Sequence, residues 1–103
     1  MTTADDLRAA AEYIRGHGLA RLTAEASDGS VCALGAIYKI CYKHEVLTLD
    51  WTRFNHAARV LSDYLYTEGL FTHGSLPKWS DSSQAGDVIA SLEKAAAWVE
   101  EQT

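Results

Sequence analysis

Cys32 is the side chain in this sequence whose type and setting come nearest to chemistry. It stands near the start of a dense apolar run, Val31 to Tyr42, directly after the turn-forming pair Asp28-Gly29. A cysteine in the first turn of a helix faces the positive end of the helix dipole, which lowers its pKa and favours the nucleophilic thiolate. With His73 as base and Asp81 as the group that orients it, a Cys-His-Asp arrangement for thiol-dependent catalysis can be drawn. The opposing reading is packing, because free cysteine is among the most buried residue types and no spacing brings His73 to Cys32. Packing is the reading these residues favour.

Other chemistry finds less material. Cys32 and Cys41 on one helix lie about 13 Å apart at a rise of roughly 1.5 Å per residue. A disulfide spans no more than about 7 Å, so the helix reading excludes a bridge. The histidines, at 17, 44, 56 and 73, are dispersed, and neither cysteine has a neighbour at a ligand-like spacing. No metal and no cofactor is expected. Gly35, inside the apolar run, costs about 1 kcal/mol relative to alanine in a helix. Another helix or an aromatic ring crossing too closely for a methyl group explains it more simply than a ligand against bare backbone.

Trp79 lies between Pro77 and the final helix. Burying its indole removes about 150–250 Å² from water, worth at most roughly 4–6 kcal/mol, enough to clamp a connection onto the core. A half-exposed tryptophan also serves as an interface anchor. Tyr38, Tyr42, Tyr64 and Tyr66 crowd the middle helices. Tyr64 and Tyr66 flank Leu65, so at least one of them points to solvent or to a partner. Tyr64, Tyr66 and Trp79 are therefore the candidate binding residues, while Cys32, Gly35, Trp79 and Asp81 are the candidate structural ones.

These residues are positioned by helices. Thr3-Ala-Asp-Asp6 reads as an N-cap with acids in the first turn, and Leu7, Ala10, Ala11 and Ile14 follow at helical spacing until Gly16 and Gly18. Residues 19–27 are weakly patterned and, with Asp28-Gly29, suit a hairpin. Val31 to Tyr42 is apolar on nearly every side and reads as a buried helix capped by Ser30 or Asp28. Thr48 or Asp50 opens the next helix, with Trp51, Phe54, Ala58, Leu61 and Leu65 on one face and Gly69-Leu70 as its left-handed stop. Residues 70–79 read as a loop or hairpin from which Pro77 excludes helix. Asp81-Ser-Ser-Gln84 has the form of a capping box for a last helix carrying Val88, Leu92, Ala95 and Val99, with Ile89 and Ala96 beside them.

Size and charge bound the rest. The chain has 103 residues, 48% of them apolar and 22% charged, which suffices for one domain over 1–103 with a single small core. A formal charge of −5 discourages nucleic acid and anionic membranes. The N-terminus, with Asp5 and Asp6, lacks the form of a secretion signal, and the longest apolar run is too short to span a bilayer, so a cytoplasmic address is expected. A winged helix-turn-helix, with Arg53 and Arg59 on the reader helix and residues 70–79 as wing, is disfavoured by Asp50, Asp63 and Glu68 on that helix.

The order of Asp28-Gly29, Val-Cys-Ala-Leu-Gly-Ala-Ile37, Leu-Pro-Lys-Trp-Ser-Asp81 and a final amphipathic helix ending in Ala95-Ala96 resembles an uncharacterised family. That family comprises small proteins of actinobacteria and their bacteriophages with a Cys-Ala-Leu-Gly-Ala element and a later Trp-Asn-Asp element. Ser80 stands where the family shows asparagine. The resemblance implies a phage-associated context, in which host modulation would be a role, and implies no activity.

The expected fold is mostly α: a small single-domain four-helix bundle around a central apolar helix at about residues 31–42, with room for a short β-hairpin in a connection. The expected function is a non-enzymatic interaction protein that binds a host protein or itself through an aromatic patch. The alternative is a small thiol-dependent enzyme using Cys32, and the third reading is the winged-helix DNA binder.

Overall fold

The computed structural model describes residues 2–21, 23–70 and 75–102. In chain order they form α1 (Thr3–His17), α2 (Ala33–Cys41), β1 (Tyr42–Lys43), β2 (Thr48–Leu49), α3 (Trp51–Thr67), α4 (Leu76–Asp81) and α5 (Ala85–Glu101). The architecture is a mostly helical bundle with one small antiparallel hairpin, in which Tyr42 pairs with Leu49 and Lys43 with Thr48. The hairpin joins α2 to α3, a connection that the sequence pattern did not single out. Asp50 N–H donates to the Cys41 carbonyl at 2.9 Å, which closes the neck of the hairpin.

α1 packs against α5, α2 and α3, while α2 packs against α1, α3 and α4. Leu7, Ala10, Ala11 and Ile14 of α1 meet Val88, Leu92, Ala95 and Ala96 of α5 in the core, with Ile37 and Leu61 from the other two long helices. The many alanines let these helices approach closely. Arg8 pairs with Glu100 and Arg15 with Glu93, so α1 and α5 run antiparallel. α2 buries Ala33, Ala36, Ile37 and Cys41 but leaves Tyr38 exposed, so it is open along one side rather than covered nearly all round.

Several local expectations shift. Thr2, not Thr3, caps α1, in a reciprocal box with Asp5. The Asp28-Gly29 reversal is present, but as an isolated bridge from Glu25 to Val31 beside a parallel bridge from Leu19 to Val31. Its apex is an Asx turn in which Asp28 Oδ1 accepts from the Ser30 N–H and hydroxyl, and these bonds hold the Asp28 carboxyl below its usual range. Asp50 caps α3 through the Arg53 N–H, and Trp51 lies outside the core at the first helical position. Gly69 (φ 72°) ends α3 as expected: Leu70 N–H reaches the Leu65 carbonyl and Gly69 N–H that of Tyr66.

Pro77 sits inside α4 rather than excluding it, because its missing N–H falls in the first turn, where no intrahelical partner exists. Of the loop, hairpin or wing expected at residues 70–79, residues 76–79 are helical and residues 71–74 lie outside the described residues. Asp81 is the last residue of α4, so the Asp81–Gln84 capping box is not formed. Gln84 precedes α5 without a side-chain cap bond, and the Ser82 and Ser83 hydroxyls turn back to the Lys78 and Trp79 carbonyls.

Candidate functional site: an aromatic face beside the hairpin

The residues of the two sequence motifs meet at the start of α2. Cys32 is its N-cap, one position before the first helical turn, and its Sγ accepts from the Gly35 N–H at 3.4 Å. Ser80, fully buried, reaches across from α4 so that its Oγ accepts from the Ala33 N–H at 3.1 Å. Two of the orphan donors at the helix start are thus satisfied by side chains from separate motifs. The Cys32 N–H in turn donates to the Ala24 carbonyl at 3.1 Å. That carbonyl explains Gly35: a Cβ there would stand 2.1 Å from the Ala24 oxygen. The close crossing expected at Gly35 is present, but it is made by the backbone of the connection at Ala24 rather than by a helix or an aromatic ring.

Cys32 and Asp81 line one recess of about 360 Å³ together with Thr23, Ala24, Leu34 and Pro77. Arg21 Nη1 donates to the Asp81 main-chain carbonyl at 2.5 Å. The third member of the drawn catalytic arrangement, His73, lies outside the described residues. Cys41 is a second buried free thiol, and burial pushes it up to about 11, with the Asp6 charge adding to the effect. No three His, Cys, Asp or Glu side chains among the described residues come together as a metal-binding group.

The candidate binding residues separate. Tyr64 is buried with its ring edge-on to Trp98 at 6.1 Å. Tyr66 is exposed, and Trp79 is half-buried beside a recess shared with Leu70, Ser83, Asp87 and Lys94. No ring contact joins Tyr64, Tyr66 and Trp79 among the described residues.

Aromatic continuity occurs elsewhere. Tyr38 of α2 stacks on Tyr42 at 6.0 Å and meets the edge of Phe54 at 6.2 Å. Tyr42 meets His44 at 5.0 Å, and Phe54 meets Trp51 at 6.0 Å. This chain of rings runs from α2 over the hairpin to the start of α3, and Trp51 is 62% exposed. Between the two strands of the hairpin, Val46 and Leu47 are 64% and 76% exposed. Leu47 adopts φ 52°, a left-handed conformation that costs a bulky residue about 1–3 kcal/mol. Between α2 and α3 the face dips into an open recess of about 370 Å³ lined by Ala24, Leu34, Gly35, Tyr38 and Phe54, with Glu25 and Lys39 at its margin.

An ion pair ties the start of α3 to the neighbouring helix. Arg53 donates Nε and Nη2 to the two carboxylate oxygens of buried Asp6 at 3.2 and 2.7 Å, tying the start of α3 to the start of α1. These hydrogen bonds raise the Arg53 pKa further and keep the guanidinium charged. Lys39 pairs with Glu25 and Lys43 with Asp50 at the margins. Such a surface offers aromatic and aliphatic area beside charges of both signs. Sequence reasoning noticed Tyr38 and Tyr42 but assigned Trp51 and Phe54 to the core. The apolar pair Val46-Leu47 inside a polar stretch was the unused signal.

The comparisons with known proteins give a single finding. A family model described as a family of unknown function (DUF6197) matches residues 1–97. No curated protein and no solved structure matches the chain.

Proposed function

The chain belongs to the family of unknown function DUF6197, and from the surface just described we propose that it is a non-enzymatic interaction protein. It docks a protein partner on the face formed by Tyr38, Tyr42, Trp51 and Phe54 and by the hairpin tip. The observation that carries the proposal is the unbroken chain of ring contacts from His44 through Tyr42, Tyr38 and Phe54 to an exposed tryptophan, with an exposed, strained leucine in the same hairpin as Tyr42. Buried tryptophan and tyrosine dominate binding energy at protein interfaces, and an ordered aromatic face loses little entropy when it docks. The same reading makes the chain a cytoplasmic accessory protein of actinobacterial or actinobacteriophage origin that modulates a host protein. Its support is the ordered pair of Cys32–Ala36 and Trp79–Asp81 motifs. The test is capture from a lysate of the encoding organism, followed by mass spectrometry. Trp51→Ala and Leu47→Asn should each abolish a capture that Tyr66→Ala leaves intact; equal loss from all three, or from none, refutes it.

One observation favours a second reading, a thiol-dependent enzyme: Cys32 and Asp81 share a recess. The discriminator is alkylation of Cys32 in the folded protein against pH. Reaction only after denaturation removes the enzyme, whereas rapid labelling below pH 7 supports it.

A further inference from the structure

We propose that the recess between α4 and α5 is a binding site for a neutral sugar ring. It shares no residue with the docking face, so the two assignments stand or fall separately. Trp79 of α4, Ser82 and Ser83 of the connection, and Asp87, Ser91 and Lys94 of α5 line a space of about 470 Å³. That volume lies within the roughly 300–1,000 Å³ of small-molecule sites. Asp87, Ser91 and Lys94 recur at i, i+4 and i+7, which places them on one face of α5 as a polar stripe beside its apolar one. Ser91 is the observation that points to a ligand. It is only 8% exposed, and its hydroxyl has no hydrogen-bond partner among the described residues. No side-chain oxygen sealed from solvent among those residues lacks a partner, so the Ser91 Oγ must open onto the recess it lines.

The groups around the recess decide the chemistry of its occupant. Asp87 is a pure acceptor and Lys94 a pure donor, and neither side chain makes an ion pair or hydrogen bond among the described residues. Ser82 and Ser83 have given their protons to the main chain. Ser82 Oγ donates to the Lys78 carbonyl at 2.9 Å and Ser83 Oγ to that of Trp79 at 2.6 Å, so both oxygens offer lone pairs alone. An anion such as phosphate would meet a carboxylate and two spent hydroxyls, and a cation would meet the Lys94 ammonium. An apolar ligand would strip water from both charges without return. An amino acid carries both signs, but on groups joined through one carbon, whereas Asp87 and Lys94 are about 10 Å of helix rise apart. A sugar ring answers every group: each hydroxyl both donates and accepts, and the hydroxyls point outward around the ring. Its apolar C–H face suits the Trp79 indole, whose electron-rich surface is half-buried and makes no contact with another ring among the described residues.

The test is titration of the isotope-labelled full chain with glucose, galactose, mannose and N-acetylglucosamine, read by NMR at the indole N–H of Trp79. The chain has three tryptophans, and the signal lost in Trp79→Phe assigns the relevant one. At least one sugar should shift that signal saturably, with a dissociation constant on the order of a millimolar for a ligand of this size. Ser91→Ala, Asp87→Asn and Lys94→Met should each weaken binding about three- to tenfold, the loss of one hydrogen bond. Asp87 and Lys94 are exposed, so those two variants keep the fold and carry the test if Ser91→Ala disturbs it. A methyl glycoside that binds as well as the free sugar supports the proposal and assigns the site to the end of a glycan chain. Loss with the methyl glycoside also supports it and assigns the site to a free reducing sugar. Inorganic phosphate and glycine should leave the Trp79 signal in place. The proposal is overturned if no sugar moves that signal at about 50 mM, well above the expected constant. Movement by phosphate or glycine instead, or parental binding in all three α5 variants, overturns it as well.

Discussion

Replacing Gly35 by alanine sets two known effects against each other, and the structure decides which wins. In an open helix the exchange stabilises by about 1 kcal/mol. Here the new Cβ would lie 2.1 Å from the Ala24 oxygen and 3.0 Å from its carbon, well inside the 3.4 Å of ordinary contact. The obstacle is backbone rather than a side chain that can rotate away. The connecting segment at Ala24 must retreat by about 1 Å, which also draws its carbonyl off the Cys32 N–H. Overpacking of this kind costs about 1–3 kcal/mol, and a buried N–H left without its acceptor about 1–3 more. Subtracting the helix gain leaves a net loss of roughly 1–5 kcal/mol, about 3 at the middle of the range, from a total stability of about 5–15. For a domain of this size the thermal midpoint should fall by roughly 10–25 °C. Far-UV circular dichroism on heating, with urea titration, reads the change. Gly16→Ala is the control, because nothing lies within 4 Å of a Cβ at that position; it should be neutral or stabilising. A Gly35→Ala chain that melts at or above the parent refutes the assignment of this glycine to close approach.

Three further outcomes follow from the same physics. Ser80→Ala removes the acceptor for the Ala33 N–H in a fully buried site and should cost about 1–3 kcal/mol, measured by urea unfolding. Asp6→Ala leaves the Arg53 guanidinium facing a cavity near the core; breaking such a pair costs about 3 kcal/mol, at the lower end of the range because Arg53 still touches water, and should loosen the aromatic face in hydrogen exchange. Hydrogen bonds hold Asp5, Asp28, Asp50 and Glu100 below their ordinary pKa values, chiefly through Thr2, Ser30, the Arg53 N–H and the Arg8 guanidinium respectively. Groups lowered on folding stabilise above their unfolded pKa and lose that contribution as pH falls through the folded value. Stability should therefore be flat near neutrality and decline below about pH 4; a maximum in acid would contradict it.

Much of the bundle was legible because helix periodicity is a local signal. The stripes of α1 and α5, the Asp50 start and the Gly69 stop all follow from residues within a few positions of one another. Pro77 was misread because the same residue stops a helix in its interior and opens one in its first turn, and only the position of Ser75 distinguishes the cases. A short hairpin in a connection was expected, but its place escaped notice because Tyr42-Lys43 continues an apolar run and its turn carries Leu47 where glycine or asparagine is the usual signal. Cys32 and Gly35 drew attention for a sound reason, yet their partners are the Ala24 carbonyl and the Ser80 hydroxyl, which only tertiary structure supplies. The aromatic face was half visible. Its residue types stand out in the sequence, but which of Trp51, Phe54, Tyr64 and Tyr66 faces water depends on how α3 is rotated against α1, and periodicity alone does not fix a ring at a helix end.

The direct test of the docking face is site-specific photo-crosslinking in the encoding cell. A photoreactive phenylalanine analogue is placed at position 51, at position 47 or at position 66, and the adducts are identified by mass spectrometry. Covalent protein adducts from positions 51 and 47, with none from 66, are the predicted result. Adducts from 66 alone, or none from the hairpin and Trp51 positions, would contradict it.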